Sequence, residues 1–414
     1  MVAKLRVLFV DDEPDILAEL RRTLSSMQGE WEMEFSQGGA QALEVLNASE
    51  ESFDVVVTDL RMPGMDGARL LDYVRDCHPH LIRIVSSGQS PEDRTASLNA
   101  VGLAHQYLSK PCELSTLKSV LEQACALREL LTDHRLKQAI ARMHTLPSLP
   151  AVYHELMREL QWSDASLKGV GRIVARDMAM TAKVLQLVNS AFFGLRQHIA
   201  DPVQAVIYLG LETLKALALS TQVFSQFDRA KLGHLPLKAL QEHCLMVGAL
   251  AKRIAETERA DRQVVDYALA AGLLHDVGKL VLAVNHPQLY DEAMLLAAEQ
   301  NIHPHEMEKQ VFGTSHAEVG AYLLGIWGLP NPIVEALAFH LHPADHLARE
   351  FTPLTAVHVA NVLAREASPC DGLHDGTSID MDYLARLPGM AERLPVWRAI
   401  SQEAPPAPDS PAPA

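Results

Sequence analysis

Two sets of residues in this chain have the types and spacing to do chemistry. The first is acidic. Asp11 and Asp12 follow the apolar run at residues 5–10, and Asp59 follows Val55-Val56-Val57-Thr58. Carboxylates brought together in this way repel one another unless a hard divalent cation neutralises them. Magnesium suits such an oxygen site and keeps waters that an incoming phosphoryl group can displace. Farther along stand Ser87 and Lys110. A hydroxyl and an ammonium there could each hold an oxygen of a phosphoryl group carried by Asp59 and offset its charge.

The second set is imidazole-rich. His243 lies 32 residues before His275, Asp276 follows directly, His316 comes next, and His340 and His342 close the series in Phe339-His340-Leu341-His342-Pro343. Imidazoles and a carboxylate gathered from separate helices suit iron, manganese or zinc, and a metal there could activate water against a phosphoester. Because the chain holds 19 histidines, some clustering is unsurprising, and for any single one a capping or core role is the commoner explanation.

The elements that must position the acids are legible in the first 124 or so residues. Short β-branched runs at 5–10, 54–58 and 83–86 alternate with helix-like segments at 15–27 and 68–77. That alternation implies an α/β domain whose doubly wound parallel sheet is covered on both faces, with ligands collecting at the carboxyl ends of the strands, where these acids fall. After Pro111 the pattern turns helical. Leu117, Leu121, Ala124 and Leu131 form a stripe that offers a seam for pairing two copies. From about 141 to 402 the apolar spacing is helical, as at 152–160, 167–174, 182–188 and 246–254, so this half reads as all α. The closing Ala-Pro-Pro-Ala-Pro-Asp-Ser-Pro-Ala-Pro-Ala is low in complexity and is expected to be disordered.

Composition narrows the classes. A length of 414 residues with 48% hydrophobic and 21% charged content exceeds what one core usually supports, so two folded domains are expected. A formal charge of -16 argues against nucleic acid as a partner, because such binders concentrate Lys and Arg to release counterions. The five cysteines (Cys77, Cys112, Cys125, Cys244, Cys370) are scattered and never form a CxxC, which fits a reducing cytoplasm better than a disulfide framework. The first apolar run is too short for a signal segment. The most apolar later stretch, 268–284, is interrupted by His275, Asp276 and Lys279, so no membrane span is expected.

Four segments in order then carry a resemblance: Val10-Asp11-Asp12-Glu13, Asp59-Leu60-Arg61-Met62-Pro63-Gly64-Met65-Asp66-Gly67, Ser87-Gly88 and Tyr107-Leu108-Ser109-Lys110-Pro111 all stand where the receiver domain of two-component response regulators has them, with the acidic and phosphate-facing positions in register. The resemblance implies a flavodoxin-like fold with Asp59 as phosphoacceptor. It further implies magnesium on Asp12, Asp59 and the Arg61 carbonyl with Asp11 assisting through water, Ser87 and Lys110 on the phosphoryl group, and Tyr107 as an aromatic switch. A histidine kinase or phosphotransfer protein is the partner it implies.

In the second half, Leu146-Pro147-Ser148-Leu149-Pro150, Val188-Asn189-Ser190-Ala191-Phe192-Phe193-Gly194, Ala205-Val206-Ile207-Tyr208-Leu209-Gly210 and Gly272-Leu273-Leu274-His275-Asp276-Val277-Gly278-Lys279-Leu280 together resemble the HDOD family, all-helical relatives of HD phosphohydrolases. The resemblance implies a module that recruits a downstream signalling protein, and enzyme activity does not follow from it. Asn361 stands where catalytic HD domains place their last Asp ligand, and no Gly-Tyr-Pro follows His340. The set His243, His275, Asp276, His316, His340 and Asn361 therefore reads as a degenerate metal site at which a transition metal is not expected. The division is a receiver at 1–124, a helical linker at 125–142, an HDOD domain at 143–402 and a tail at 403–414. The competing readings are a receiver-regulated, metal-dependent HD phosphohydrolase acting on a cyclic dinucleotide or nucleotide, and a transcription factor, for which no helix-turn-helix is recognisable.

Overall fold

The computed structural model describes residues 4–27, 29, 31–49, 53–78, 81–87, 103–110, 117, 118, 120, 121, 156, 167–176, 180, 181, 184, 185, 199, 201–226, 232–367 and 378–402. The expected linker at 125–142, the tail at 403–414 and the motifs at 146–150 and 188–194 lie outside the described residues. The chain separates into two compact units, the first built on Met1–Ala151 and the second on most of the remainder.

In the first unit the order is β1 (Leu5–Asp11), α1 (Pro14–Thr23), β2 (Trp31–Gln37), α2 (Gly39–Ala48), β3 (Val55–Thr58), α3 (Gly67–Cys77), β4 (Ile82–Ser87) and β5 (Gln106–Ser109). All five strands are parallel, in the order β2-β1-β3-β4-β5. β1 and β3 are the central strands, and β3 is buried at every position. This explains why their Val-rich runs carry no polar alternation. Leu8, Val10, Val56, Leu60, Leu70, Leu71, Val74 and Val85 form one core between sheet and helices. The register pairs Val10 with Thr58, so β1 and β3 end level and deliver Asp11 and Asp59 to the same edge.

The second unit contains, among the described residues, helices and no strand. They are α4 (Leu167–Arg176), α5 (Pro202–Leu209), α6 (Leu211–Gln226), α7 (Leu237–Thr257), α8 (Arg262–Leu274), α9 (Val277–Asn285), α10 (Pro287–Gln300), α11 (Pro304–Phe312), α12 (His316–Ile326), α13 (Asn331–Phe339), α14 (Pro353–Ala367), α15 (Met381–Arg386) and α16 (Leu394–Gln402). Arg262–Asn285, which spans α8 and α9, is long and apolar enough to cross a membrane, but 89% of that window is buried inside the fold, as in a core helix. It is the central layer on which α7, α12 and α14 converge at the histidine cluster.

Two close approaches fix that layer. At the α7–α8 crossing a Cβ on Gly272 would lie 2.6 Å from the Gly248 Cα. At the start of α9 a Cβ on Gly278 would run into the His316 carbonyl oxygen and lie 2.8 Å from the Gly320 nitrogen. Glycine is needed at both places because backbone meets backbone.

Candidate functional site

At the sheet edge, Asp11, Asp12 and Asp59 offer oxygens within 4.8 Å of one another. Asp11 is buried, while Asp12 and Asp59 are partly exposed. Asp59 is held at one oxygen, where Oδ1 accepts from the backbone N–H of Leu60 (2.6 Å) and of Arg61 (3.3 Å). Asp11 Oδ1 accepts from the Glu13 N–H at 3.0 Å. The remaining oxygens are bridged by a single cation, for Lys110 Nζ donates to Asp11 Oδ2 at 2.6 Å and to Asp59 Oδ2 at 2.7 Å. Burial works against the Lys110 charge, but the hydrogen bonds to Asp11 and Asp59 outweigh it and raise its pKa above the ordinary lysine value. The loop after Asp59 turns tightly. Gly64 has φ of 81°, and a Cβ on Gly67 would collide with the Asp59 carbonyl oxygen.

Three carboxylates with one ammonium among them retain a net negative charge, a donor set that fits a hard divalent ion such as magnesium. Asp11, Asp12 and Asp59 would hold it; such an ion screens the acids and draws an anionic phosphoryl group toward Asp59. Ser87 ends β4 and Tyr107 lies on β5, but their side chains lie outside the described positions, as do Gly88 and Pro111.

The second cluster lies in the helical unit. His275 and Asp276 occupy the break between α8 and α9, His316 begins α12, and His340 follows the last residue of α13. His243 comes from α7 and Asn361 from α14. All six are buried. His342, by contrast, is exposed and stands outside the cluster.

Within this cluster two halves differ. His243 Nε2 and Asn361 Oδ1 are 2.9 Å apart, and Arg365 Nε donates to the same oxygen at 3.1 Å. An amide oxygen only accepts, so His243 Nε2 carries its proton and has no lone pair to offer. Burial, then the positive potential of His275 and Arg365, pushes the His243 pKa down to about 3, so the ring is neutral. Lys279 Nζ donates to Asp276 Oδ2 at 2.9 Å, with Arg365 Nη2 3.7 Å from that oxygen.

On the other side, Asp276 Oδ1, His316 Nε2 and His340 Nε2 lie within 4.8 Å of one another. His316 Nε2 faces Asp276 Oδ1 at 3.2 Å as an ion pair of poor hydrogen-bond alignment, and His340 Nε2 and His275 Nε2 have no hydrogen-bond partner. Burial would raise the Asp276 pKa, but His275, Lys279 and His316 hold it well below the ordinary carboxylate range.

Two residues of this site escaped the sequence reading. Glu308 of α11 is fully buried, and its Oε2 accepts from both the backbone N–H and Nδ1 of His316 at 2.7 Å. Arg365 lies one helical turn after Asn361 on α14. His275 Nδ1 donates to Gly272 O in its own helix at 2.8 Å, while the contacts of His243 with Asn361 and of His316 with Asp276 link separate helices.

A five-stranded parallel sheet delivers paired acids and a lysine to one edge, and an all-helical unit follows it. Residues 7–122 match the response regulator receiver domain, and residues 146–343 match the HDOD domain. The chain thus carries a response regulator receiver domain followed by an HDOD domain. It is 30% identical over 216 residues to an uncharacterized protein of Treponema pallidum, covering 51% of this chain and 40% of that one. It is 32% identical over 136 residues to the transcriptional regulatory protein GlrR of Escherichia coli, covering 32% and 29%. The matched stretches thus span well under two thirds of these relatives. An HDOD domain protein of unknown function from Geobacter sulfurreducens has 23% identity and a TM-score of 0.46, covering 70% of this chain and all of that one.

Proposed function

We propose that a partner histidine kinase or phosphotransfer protein phosphorylates Asp59, and that magnesium held by Asp11, Asp12, Asp59 and the Arg61 carbonyl assists the transfer in the cytoplasm. The observation that carries this reading is Lys110, whose ammonium already joins Asp59 Oδ2 to Asp11 Oδ2. An Asp59 oxygen forms the new bond to phosphorus as the bond from phosphorus to the donor histidine's ring nitrogen breaks and the imidazole leaves, and Lys110 is in place to pair with the added charge. The helical half is read as the output that recruits a downstream protein, with the switch residues Ser87 and Tyr107 linking the events. Asn361 supports an interaction role over hydrolysis, since a neutral amide bonded to His243 replaces the anionic ligand a hydrolytic metal site needs. Incubation with acetyl phosphate and magnesium should label the chain at Asp59, and Asp59→Asn should abolish the label. Stoichiometric labelling that persists in Asp59→Asn, mapped elsewhere by mass spectrometry, would overturn the assignment.

A further inference from the structure

We propose that the helical unit binds one divalent transition-metal ion through Asp276 Oδ1, His316 Nε2 and His340 Nε2. This goes beyond the phosphorylation reading and does not depend on it, and it departs from the expectation that the degenerate set would stay metal-free.

The argument rests on how each group is oriented. His340 Nδ1 lies 2.8 Å from the Leu337 carbonyl oxygen. A carbonyl only accepts, so Nδ1 carries the proton and, in the neutral ring, Nε2 presents a bare lone pair. His316 Nδ1 is taken by Glu308 Oε2, so Nε2 is the nitrogen that faces the centre. Burial opposes its charge, but Glu308 and Asp276 raise the pKa to about 9, so a metal would take the place of the Nε2 proton. Both Nε2 atoms and Asp276 Oδ1 are buried within 4.8 Å of one another, and none has a well-aligned hydrogen bond. The His316 Nε2 to Asp276 Oδ1 separation is 3.2 Å but lacks hydrogen-bond alignment. Lys279 and Arg365 address the other oxygen, Oδ2. Leaving the His340 Nε2 lone pair buried without a partner beside a poorly aligned Asp276–His316 contact is costly, and a divalent cation that replaces the His316 Nε2 proton satisfies all three atoms at once.

Two imidazoles and one carboxylate suit iron(II), manganese(II) or zinc better than magnesium or calcium. A buried carboxylate that holds a ligating imidazole by its other nitrogen is the usual outer support of such a metal, so Glu308 is a positioning residue for His316. The site takes one ion rather than two, because the His243 side is closed by its bond to Asn361 and Asp276 Oδ2 already has its cation. The three ligands come from the α8–α9 break, the start of α12 and the end of α13, so the ion would pin three separate helix ends.

The full chain, purified without chelators, is loaded in turn with iron(II) under anaerobic conditions, manganese(II), zinc and cobalt(II), desalted and measured for metal content. One equivalent per chain is expected, with a cobalt(II) visible spectrum showing nitrogen ligation and a metal-dependent rise in Tm. His340→Gln and His316→Gln should each lose the metal while keeping the helical circular dichroism spectrum. Glu308→Gln should weaken affinity about 10- to 100-fold, and His243→Gln should keep the full equivalent. Failure of the unsubstituted chain to retain any of the four metals would overturn the proposal, without needing any variant to fold. So would two equivalents per chain, or retention in His316→Gln and His340→Gln with loss in His243→Gln.

Discussion

Asp59 and Asn361 differ by one oxygen-for-nitrogen exchange, and the surroundings decide what that exchange means. Around Asp59, a partly exposed carboxylate faces an ammonium and two further acids, so replacing it with the neutral amide removes the nucleophile while leaving the backbone bonds to Leu60 and Arg61 available. Around Asn361, the amide oxygen already accepts from His243 and Arg365. Asn361→Asp should therefore place a second carboxylate beside Asp276 and create a second metal equivalent, read by metal analysis after zinc or manganese loading; unchanged stoichiometry would show that the amide is not what closes this side. Unsubstituted protein loaded with the same metals should not turn over cyclic dinucleotides, nucleotides or a generic phosphodiester. Turnover that vanishes in His275→Ala would restore the hydrolase reading. The acids, Lys110, His275, Asp276 and His340 were legible because each sits in a short local motif, whereas His243 and His316 stood out only by type and place in the series. Glu308 was not legible. It meets His316 only because α11 and α12 fold back on each other, and a Glu eight residues upstream leaves no periodic trace.

Helices and strands were legible in proportion to how fully they are buried. β1 and β3 lie inside the sheet, and their uninterrupted apolar runs announce them. β2 and β5 are the edges of the order β2-β1-β3-β4-β5. The β2 sequence Trp-Glu-Met-Glu-Phe-Ser-Gln alternates because one side meets solvent, and β5 is only four residues long with Gln106 at its start, so neither stood out. Glycines at crossings were visible as letters but not as contacts. Gly278 lets α9 lie against the first turn of α12 and so brings His316 beside Asp276. Gly278→Ala forces backbone away from backbone and should cost about 3 kcal/mol by the usual penalty for overpacking. Urea denaturation would measure it. A cost near zero would mean that the α9–α12 approach is not as close as described.

For the molecule as a whole, charge and coverage both speak to nucleic acid. GlrR is a transcriptional regulatory protein, but the likeness spans 136 residues and 29% of its length, so its printed role does not travel to this chain. With a net charge of -16, a shift assay against duplex DNA should show no salt-dependent retardation; retardation that weakens as salt rises would reinstate that reading.

The remaining question at this scale is how an event at Asp59 reaches the helical half. Lys110 directly follows β5 and bonds to Asp59, so a phosphoryl group at Asp59 must alter the partners of the residue through which the chain leaves the sheet. From Lys110 the chain continues through Pro111 toward the HDOD match that begins at 146. On the proposed reading, a change in charge at the acid pocket would act on the covalent path between the two domains, whatever surface the output uses. With beryllofluoride as the phosphoryl mimic at saturating magnesium, amide exchange across residues 105–145 should slow or quicken measurably relative to the free chain, and Asp59→Asn should show no such difference. If exchange in that stretch is the same with and without beryllofluoride while the acid pocket itself becomes protected, the receiver is occupied but uncoupled, and a switch carried through β5 and Lys110 is the wrong mechanism.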